Sequence, residues 1–293
     1  MQKIVPHLWY DKEAREAAEF YTSLFPDSRV EYVTTLQGTP SGAVDVVSFV
    51  LSGQEFMCIS AGPYFQFTPA ISFMVACATP AEVDALWEQL ADGGKVLMEL
   101  GAYPFSTRYG WVQDRYGLSW QLICMDGRKS IQRITPSLLF VGERCGKAEE
   151  AMRFYASVFR DAKVGDMSRY GANAAPDKEG TVMYGEFALV GQQFIAMDSA
   201  HKHAFTFNEA FSFLIRCDTQ AEIDYFWERL SAVPEAEQCG WLKDTYGVSW
   251  QIVPTAMDAM MRDEDPERRA RVTKAFLAMK KFDVEQLQRA YEG

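Results

Sequence analysis

The sequence predicts an α+β protein made of two homologous domains in tandem, and three observations support this. Residues 110–121 (GWVQDRYGLSWQ) return as residues 240–251 (GWLKDTYGVSWQ), with identity at eight of the twelve positions. Further segments recur in the same order at spacings of 130 to 140 residues, and each copy alternates helical with strand periodicity. Hydrophobic residues make up 48% of the chain and charged residues 24%, proportions typical of packed globular domains.

The repeat divides the chain into a first copy at residues 1–127, a second copy at residues 131–254 and a tail at residues 255–293. The helical spacing of Val272, Phe276 and Met279, with a break at Asp265-Pro266, predicts short helices in the tail. We expect this tail to pack over its own domain or over a partner subunit.

Each copy opens with a short alternating strand, residues 4–10 in the first copy, followed by an amphipathic helix. The apolar stripe of this helix consists of Ala17, Tyr21, Leu24 and Phe25 in the first copy and of Ala151, Tyr155, Val158 and Phe159 in the second. Strand-like runs follow at residues 29–36, 44–51 and 55–60.

A second helix begins after Thr79, which can act as N-cap, with Pro80 at the first helical position and Glu82 completing a capping box. Thr219 and Glu222 repeat this box in the second copy. Three further strand runs follow this helix, so each copy reads βαβββ-βαβββ. Within these runs we predict that Asp114 and Asp244, which precede Tyr-Gly turns, make turn hydrogen bonds.

Composition excludes several classes of function. A net charge of −11 without a basic stripe argues against nucleic acid as a partner. No signal-peptide pattern and no apolar run of bilayer length appear, so we expect a cytoplasmic protein that does not associate with a membrane. The six scattered cysteines are expected to be reduced thiols. No Gly-rich turn of the type that binds a methyl-donor nucleoside follows any predicted strand.

Several blocks in fixed order carry a family resemblance, among them AEFYTSLFPDS, AISFMVACATPAEVDALWEQL and CGWLKDTYGVSWQIVP. Over residues 3–125 and 133–254, the chain resembles the PhnB-like (3-demethylubiquinone-9 3-methyltransferase-like) branch of the glyoxalase/bleomycin resistance/vicinal oxygen chelate (VOC) superfamily. The resemblance implies tandem VOC domains, each with two βαβββ modules whose strands curl into a cup, with helices on the outer face. It also implies a ligand in the cup. Because no methyl-donor motif is present, we interpret the methyltransferase label as inherited naming.

In metal-using members of the superfamily, the first, fourth, fifth and eighth strands of the cup present the ligands, typically His and Glu. The resemblance places these positions at His7, Ser60, Ser72 and Gln121 in the first copy and at Ser137, Asp198, Ser212 and Gln251 in the second. Trp9 lies two residues after His7 on the first strand, so the two side chains point to the same face. We predict that these nine residues line ligand cavities, with His7, Ser60, Ser72 and Gln121 sharing one cavity.

A catalytic divalent metal needs three or four strong donors, and hydroxyl and amide oxygens bind it far more weakly than imidazole or carboxylate. The first copy offers one histidine at these positions and the second copy one carboxylate. We therefore predict no metal or other cofactor, with a divalent metal near His7 as the alternative. A simpler interpretation of His7 is a polar residue that is hydrogen-bonded in a cavity wall.

Three functions remain open. The first is a binding protein for a small, partly apolar molecule of unknown identity. The second is a metal-assisted lyase, isomerase or oxygenase that uses His7 and Gln121 of the first cup. The third is a scaffold in which duplication replaces a homodimer of single domains. A homodimer of the whole chain is a further possible assembly.

Overall fold

The computed structural model describes residues 2–293, and its regular elements alternate between strands and helices along the chain. The strands are β1 (Ile4–Tyr10), β2 (Arg29–Thr39), β3 (Gly42–Leu51), β4 (Gln54–Ser60), β5 (Ile71–Cys77), β6 (Lys95–Tyr103), β7 (Ser106–Gln113), β8 (Ser119–Cys124), β9 (Ile134–Val141), β10 (Lys163–Arg169), β11 (Val182–Leu189), β12 (Gln192–Ser199), β13 (Phe211–Cys217), β14 (Trp241–Lys243) and β15 (Ser249–Pro254). The α-helices are α1 (Ala14–Leu24), α2 (Pro80–Ala91), α3 (Ala148–Val158), α4 (Gln220–Leu230), α5 (Ala256–Met261), α6 (Pro266–Leu277) and α7 (Val284–Glu292).

The chain forms two compact units that cut across the two sequence copies. Unit 1 comprises the chain up to Gln66 together with Asn208–Gly293, and unit 2 comprises Phe67–Phe207. The sheet of unit 1 has the strand order β14-β15-β13-β1-β4-β3-β2, and the sheet of unit 2 has the order β10-β11-β12-β9-β5-β8-β7-β6. Each unit therefore joins one βαβββ module of the first copy to one module of the second.

The two modules of each unit meet at a pair of antiparallel strands. In unit 1, β1 pairs with β13 and places His7 opposite Ser212. In unit 2, β5 pairs with β9 and places Ser72 opposite Ser137. The prediction that His7 shares a cavity with Ser72 and Gln121 is therefore wrong, because the strands that carry these residues belong to different sheets.

Helices cover one face of each sheet and leave the other face as the cup. Helix α1 packs on β2 and β3, and α4 packs on β15. The predicted N-caps are confirmed, since the hydroxyl oxygens of Thr79 and Thr219 accept hydrogen bonds from the backbone N–H groups of Glu82 and Glu222, both at 3.2 Å. No helix among residues 2–293 combines the length and apolarity that a bilayer span requires.

Two buried aspartates hold the turns before β8 and β15. In the second of these, one carboxylate oxygen of Asp244 accepts from the N–H groups of Tyr246 at 2.8 Å and Val248 at 3.0 Å. The other oxygen accepts from the Trp250 indole at 2.8 Å. Asp114 makes the same set of contacts in the first copy. The predicted turn hydrogen bonds are confirmed at both positions.

The two copies differ after their second helix. In the first copy β6 and β7 form a hairpin, whereas in the second copy only the three-residue strand β14 precedes β15. The prediction of three strands at this point therefore holds for the first copy alone. Instead, Cys239 and Gly240 donate backbone hydrogen bonds to the carbonyls of Met279 and Lys280 at 2.8 and 2.7 Å. The tail thus pairs with the sheet where a β6 strand is missing.

Candidate ligand-binding site

The cup of unit 1 contains two adjacent cavities. The inner cavity has a volume of about 170 Å³ and the outer cavity about 420 Å³. Both are bounded by the same five side chains: Leu36, Ile59, Cys239, Trp241 and Phe276. The tail forms part of the inner cavity wall through Met257, Met261, Phe276 and Phe282.

His7 is the imidazole of the inner cavity. It is 4% exposed, its Nδ1 atom has no hydrogen-bond partner among the described residues, and its ring meets Trp241 edge to face at 5.6 Å. Burial lowers the pKa of this imidazole to about 3, so His7 is neutral at physiological pH. The structure thus places His7 in a cavity wall as predicted, but without the expected hydrogen bond to Nδ1.

Gln251 lies on the same face of the sheet as His7, two strands away across β13, and lines the same cavity. Its Nε2 group donates to the Ser212 hydroxyl at 3.0 Å, while its Oε1 atom accepts no hydrogen bond from the described part of the chain. In the equivalent Gln121 of unit 2, both groups of the side-chain amide are hydrogen-bonded: Oε1 accepts from the Tyr109 hydroxyl at 2.7 Å, and Nε2 donates to the Ser72 hydroxyl at 2.8 Å. Cys239 replaces this tyrosine in unit 1, which leaves Gln251 Oε1 available to a ligand.

Arg216 is a charged residue of the inner cavity that sequence reasoning missed. It is 8% exposed, and its Nη1 group donates to Glu55 at 2.5 Å and to the carbonyl of Gln2 at 3.0 Å. Burial alone would raise the pKa of Glu55, but hydrogen bonds from Gln2 and Arg216 hold it below its usual value. The pair is therefore ionised and neutral in sum, and Arg216 Nε and Nη2 make no further hydrogen bond to the described residues.

A signal for Arg216 was present in the sequence. It occupies the place of Ala76 in an otherwise apolar strand and shares the face of Ser212. Tyr32 and Asp258, also missed, form a second polar pair in the wall, in which the tyrosine hydroxyl donates to the carboxylate. Burial and this carboxylate raise the pKa of Tyr32. The inner cavity is thus mostly apolar, with one ion pair, one tyrosine–carboxylate hydrogen bond and two unpaired neutral groups.

Ser60 and Asp198 point away from the cups, contrary to prediction. The Ser60 hydroxyl accepts from the first N–H of α1, at Ala14, at 3.1 Å. Asp198 accepts from the N–H groups of Gly146, Ala148 and Val182 at 2.7, 3.1 and 2.9 Å. Both residues therefore stabilise the start of a helix on the outer face. The assignment was wrong by one residue, since Ile59 faces the cavity instead of Ser60.

The cup of unit 2 is partly filled by its own side chains. Met74, Tyr109, Ile123 and Ile195 form a buried apolar cluster, against which partly buried aromatic and methionine side chains pack. A cavity of about 130 Å³ remains, but Ser72, Gln121 and Ser137 do not line it. Of the nine predicted residues, His7 and Gln251 line the inner cavity of unit 1 and Trp9 lines the outer one.

The donors around His7 do not fit a tightly held divalent metal. Its neighbours at the corresponding strand positions are the Ser212 hydroxyl, the Gln251 amide and the apolar Ile59. Within residues 2–293, no three His, Cys, Asp or Glu side chains are grouped as metal ligands would be. A single imidazole with two weak oxygen donors gives little metal affinity.

Comparison with known proteins identifies the family. Residues 2–123 and 132–253 each match the model of the family described as 3-demethylubiquinone-9 3-methyltransferase. The chain belongs to this family. It contains the PhnB-like domain twice, and the resemblance inferred from the sequence blocks is confirmed.

Two solved structures are also similar to this chain. The PhnB protein from Bacillus cereus is 42% identical over 42% of this chain and 99% of its own, with a TM-score of 0.40. Glyoxalase I from Zea mays is 12% identical but covers 87% of this chain and 95% of its own, with a TM-score of 0.54. The chain therefore has the VOC fold that glyoxalase I has. No curated protein gives a significant match.

Proposed function

We propose that unit 1 binds a small, uncharged and mostly apolar molecule in its inner cavity, without the help of a metal ion. The observation that carries the proposal is a pair of neutral polar side chains, His7 and Gln251, in the wall of a mostly apolar cavity: Nδ1 of His7 is buried without a partner, and Oε1 of Gln251 accepts no hydrogen bond from the described residues. Leaving a buried polar group without a partner costs about 1–3 kcal/mol, and a bound ligand can remove this cost.

The size and charge of the cavity define the class of ligand. An apolar cavity of about 150 Å³ holds one benzene ring, so about 170 Å³ suits one ring or a short branched chain. Arg216 is already paired with Glu55, so an anionic ligand would leave an excess charge in a buried site, and the Asp258 carboxylate already accepts a hydrogen bond from Tyr32. A neutral hydroxyl or N–H group, in contrast, can donate to Gln251 Oε1 or to a neutral His7.

The His7→Leu variant tests this proposal with phenol and indole as probes. We expect calorimetry to show weaker probe binding by about tenfold, because one hydrogen bond of about 1.4 kcal/mol is lost. The variant removes an unpaired polar group and keeps a similar side-chain volume. Its free energy of unfolding should therefore be equal to that of the wild type or up to about 1 kcal/mol higher.

Ser137→Ala is the matched control, because Ser137 occupies the equivalent position in unit 2 and its hydroxyl is also unpartnered. This variant should bind the probes as the wild type does. The proposal fails if neither phenol nor indole binds the wild type, or if His7→Leu binds both with unchanged affinity. Stoichiometric, tightly held metal in protein purified without chelator would favour the metal-dependent enzyme instead.

A further inference from the structure

Trp241 forms the partition between the two cavities of unit 1. Its ring lies 5.6 Å from the ring of His7, which faces the inner cavity, and 6.0 Å from the ring of Trp9, which faces the outer cavity. Phe276 from the tail also borders both cavities. A shift of these side chains would join the two cavities into one elongated site.

Trp241 lacks the tether that holds its counterpart in unit 2. There, the indole of Trp111 donates to the Ser119 hydroxyl at 2.7 Å. In unit 1 the equivalent hydroxyl of Ser249 is buried without a partner among the described residues. The Trp241 indole is therefore not held in place by this hydrogen bond, and its ring can turn at lower cost than that of Trp111.

The outer cavity is suited to an apolar chain. Trp9 packs edge to face against Phe65 at 5.1 Å and against Tyr64 at 6.4 Å, which gives the cavity an aromatic wall. Its charged lining residues are Glu209, which pairs with Lys243 at 2.6 Å, and Glu235. These carboxylates disfavour an anionic occupant. Apolar surface of this kind gains free energy when a ligand covers it.

We infer that the ligand of unit 1 is an elongated, uncharged molecule with a polar head in the inner cavity and an apolar arm that passes Trp241 into the outer cavity. This inference rests on the proposed function, since it assumes that His7 and Gln251 hold the head. The arm determines specificity through its length. The head accounts for the hydrogen bonds and the arm for most of the buried apolar area.

A series from phenol to 4-octylphenol tests the inference by calorimetry. In the wild type we expect affinity to rise about three- to fourfold per added methylene until the outer cavity is filled. Ala236 lines the outer cavity but not the inner one, and it is half-buried. Larger side chains at this position should therefore occupy the space of the arm. Ala236→Leu should shorten the rising part of the series, and Ala236→Trp should abolish it.

Both variants should bind phenol itself as the wild type does. Ala172→Trp, at an exposed position of unit 2, is the control for an added indole and should leave the series unchanged. If Ala236→Trp does not fold, Ala236→Leu carries the test. Phenol binding without a gain from the alkyl chain, or a gain that persists in the Ala236 variants, overturns the inference but leaves the proposed function standing. If no member of the phenol series binds, phenol included, both the inference and the proposed function are overturned.

Discussion

His7 and Ser137 stand at equivalent positions of the two copies but in different surroundings. Both are almost fully buried, and each has a side-chain atom without a hydrogen-bond partner in the described structure. His7 borders a cavity that a ligand can fill, whereas Ser137 does not line the cavity that remains in the cup of unit 2. A polar group retained at a cost in stability is typical of a site that is used for binding.

The titration of His7 predicts how stability depends on pH. The unfolded imidazole has a pKa of about 6.5 and the folded one about 3, so the unfolded chain takes up the proton first as the pH falls. The stabilisation is complete above pH about 6.5 and is lost progressively down to pH about 3. Between pH 7 and pH 5 this loss amounts to about 2 kcal/mol.

Urea unfolding at pH 5, 6 and 7 measures the effect. The free energy of unfolding of the wild type should fall by about 2 kcal/mol relative to His7→Leu over this range. Ser137→Ala should follow the wild type, because it keeps the histidine. Parallel profiles for the wild type and His7→Leu would show that the folded imidazole keeps an ordinary pKa.

The family resemblance placed three of the nine predicted residues, His7, Trp9 and Gln251, at cavity walls of unit 1, and it failed where the strand register was ambiguous. Gln251 could be assigned to the concave face because polar and apolar residues alternate at the start of β15, whereas His7 is the single strongly polar residue of the otherwise apolar β1. Ser60 is the last residue of β4 and Asp198 the second-last of β12. Both strands carry apolar residues on both faces, and a shift of one residue exchanges the two faces. Their role at helix starts could not be read without the backbone geometry.

At the scale of elements, the tail replaces a lost hairpin. In the first copy β6 pairs with β7, where Gly101 lies opposite Tyr109. In the second copy Cys239, the counterpart of Tyr109, pairs with Met279 of the tail. The sequence carries a trace of this change, since the spacing between copies falls from 140 to 130 residues at this point. Only the structure shows that the tail takes over the free edge.

Gly240 lets the tail approach the sheet, and its replacement should loosen the tail. Its φ is +81°, and an added Cβ would lie 2.5 Å from the ring of Phe282. We expect Gly240→Ala to lower the free energy of unfolding by about 2–3 kcal/mol, from backbone strain and the steric clash together. Hydrogen exchange should show faster exchange in the tail residues of the variant.

Gly191→Ala separates the two contributions. Gly191 has a similar φ of +78° but open space around its Cβ position, so only backbone strain of about 1 kcal/mol applies. Equal losses in the two variants would mean that the contact with Phe282 contributes nothing.

At the scale of the whole molecule, the duplication means that the sequence alone does not specify which strands pair. Modules of one copy and modules of the other carry nearly the same pattern, so β1 could pair with β5 or with β13 on local grounds. The two choices bury similar faces, and only the three-dimensional arrangement decides between them. For this reason the VOC fold was predictable, while the sharing of modules between copies was not.

This sharing predicts the behaviour of the separated halves. Fragments 1–129 and 130–293 each carry one half of each sheet and leave β1, β5, β9 and β13 without their partners. We expect neither fragment to fold alone as a monomer, because unpaired central strands expose both apolar faces and hydrogen-bonding edges. Coexpression should give a one-to-one complex with the cooperative unfolding of the intact chain.

Light scattering coupled to size exclusion measures this outcome. A fragment that is monomeric and unfolds cooperatively on its own would show that one copy builds a complete sheet.

The order of the strands also has a consequence during synthesis. Unit 2 is one continuous stretch of the chain, so its strands emerge from the ribosome in uninterrupted succession. In unit 1, by contrast, the module that begins with β1 emerges first and must wait for β13 and β15. Translation of roughly 200 residues at roughly 5–20 residues per second takes about 10–40 s. For that time the edge of β1 is open to wrong partners, so the nascent protein is most prone to aggregation before its last quarter has been translated.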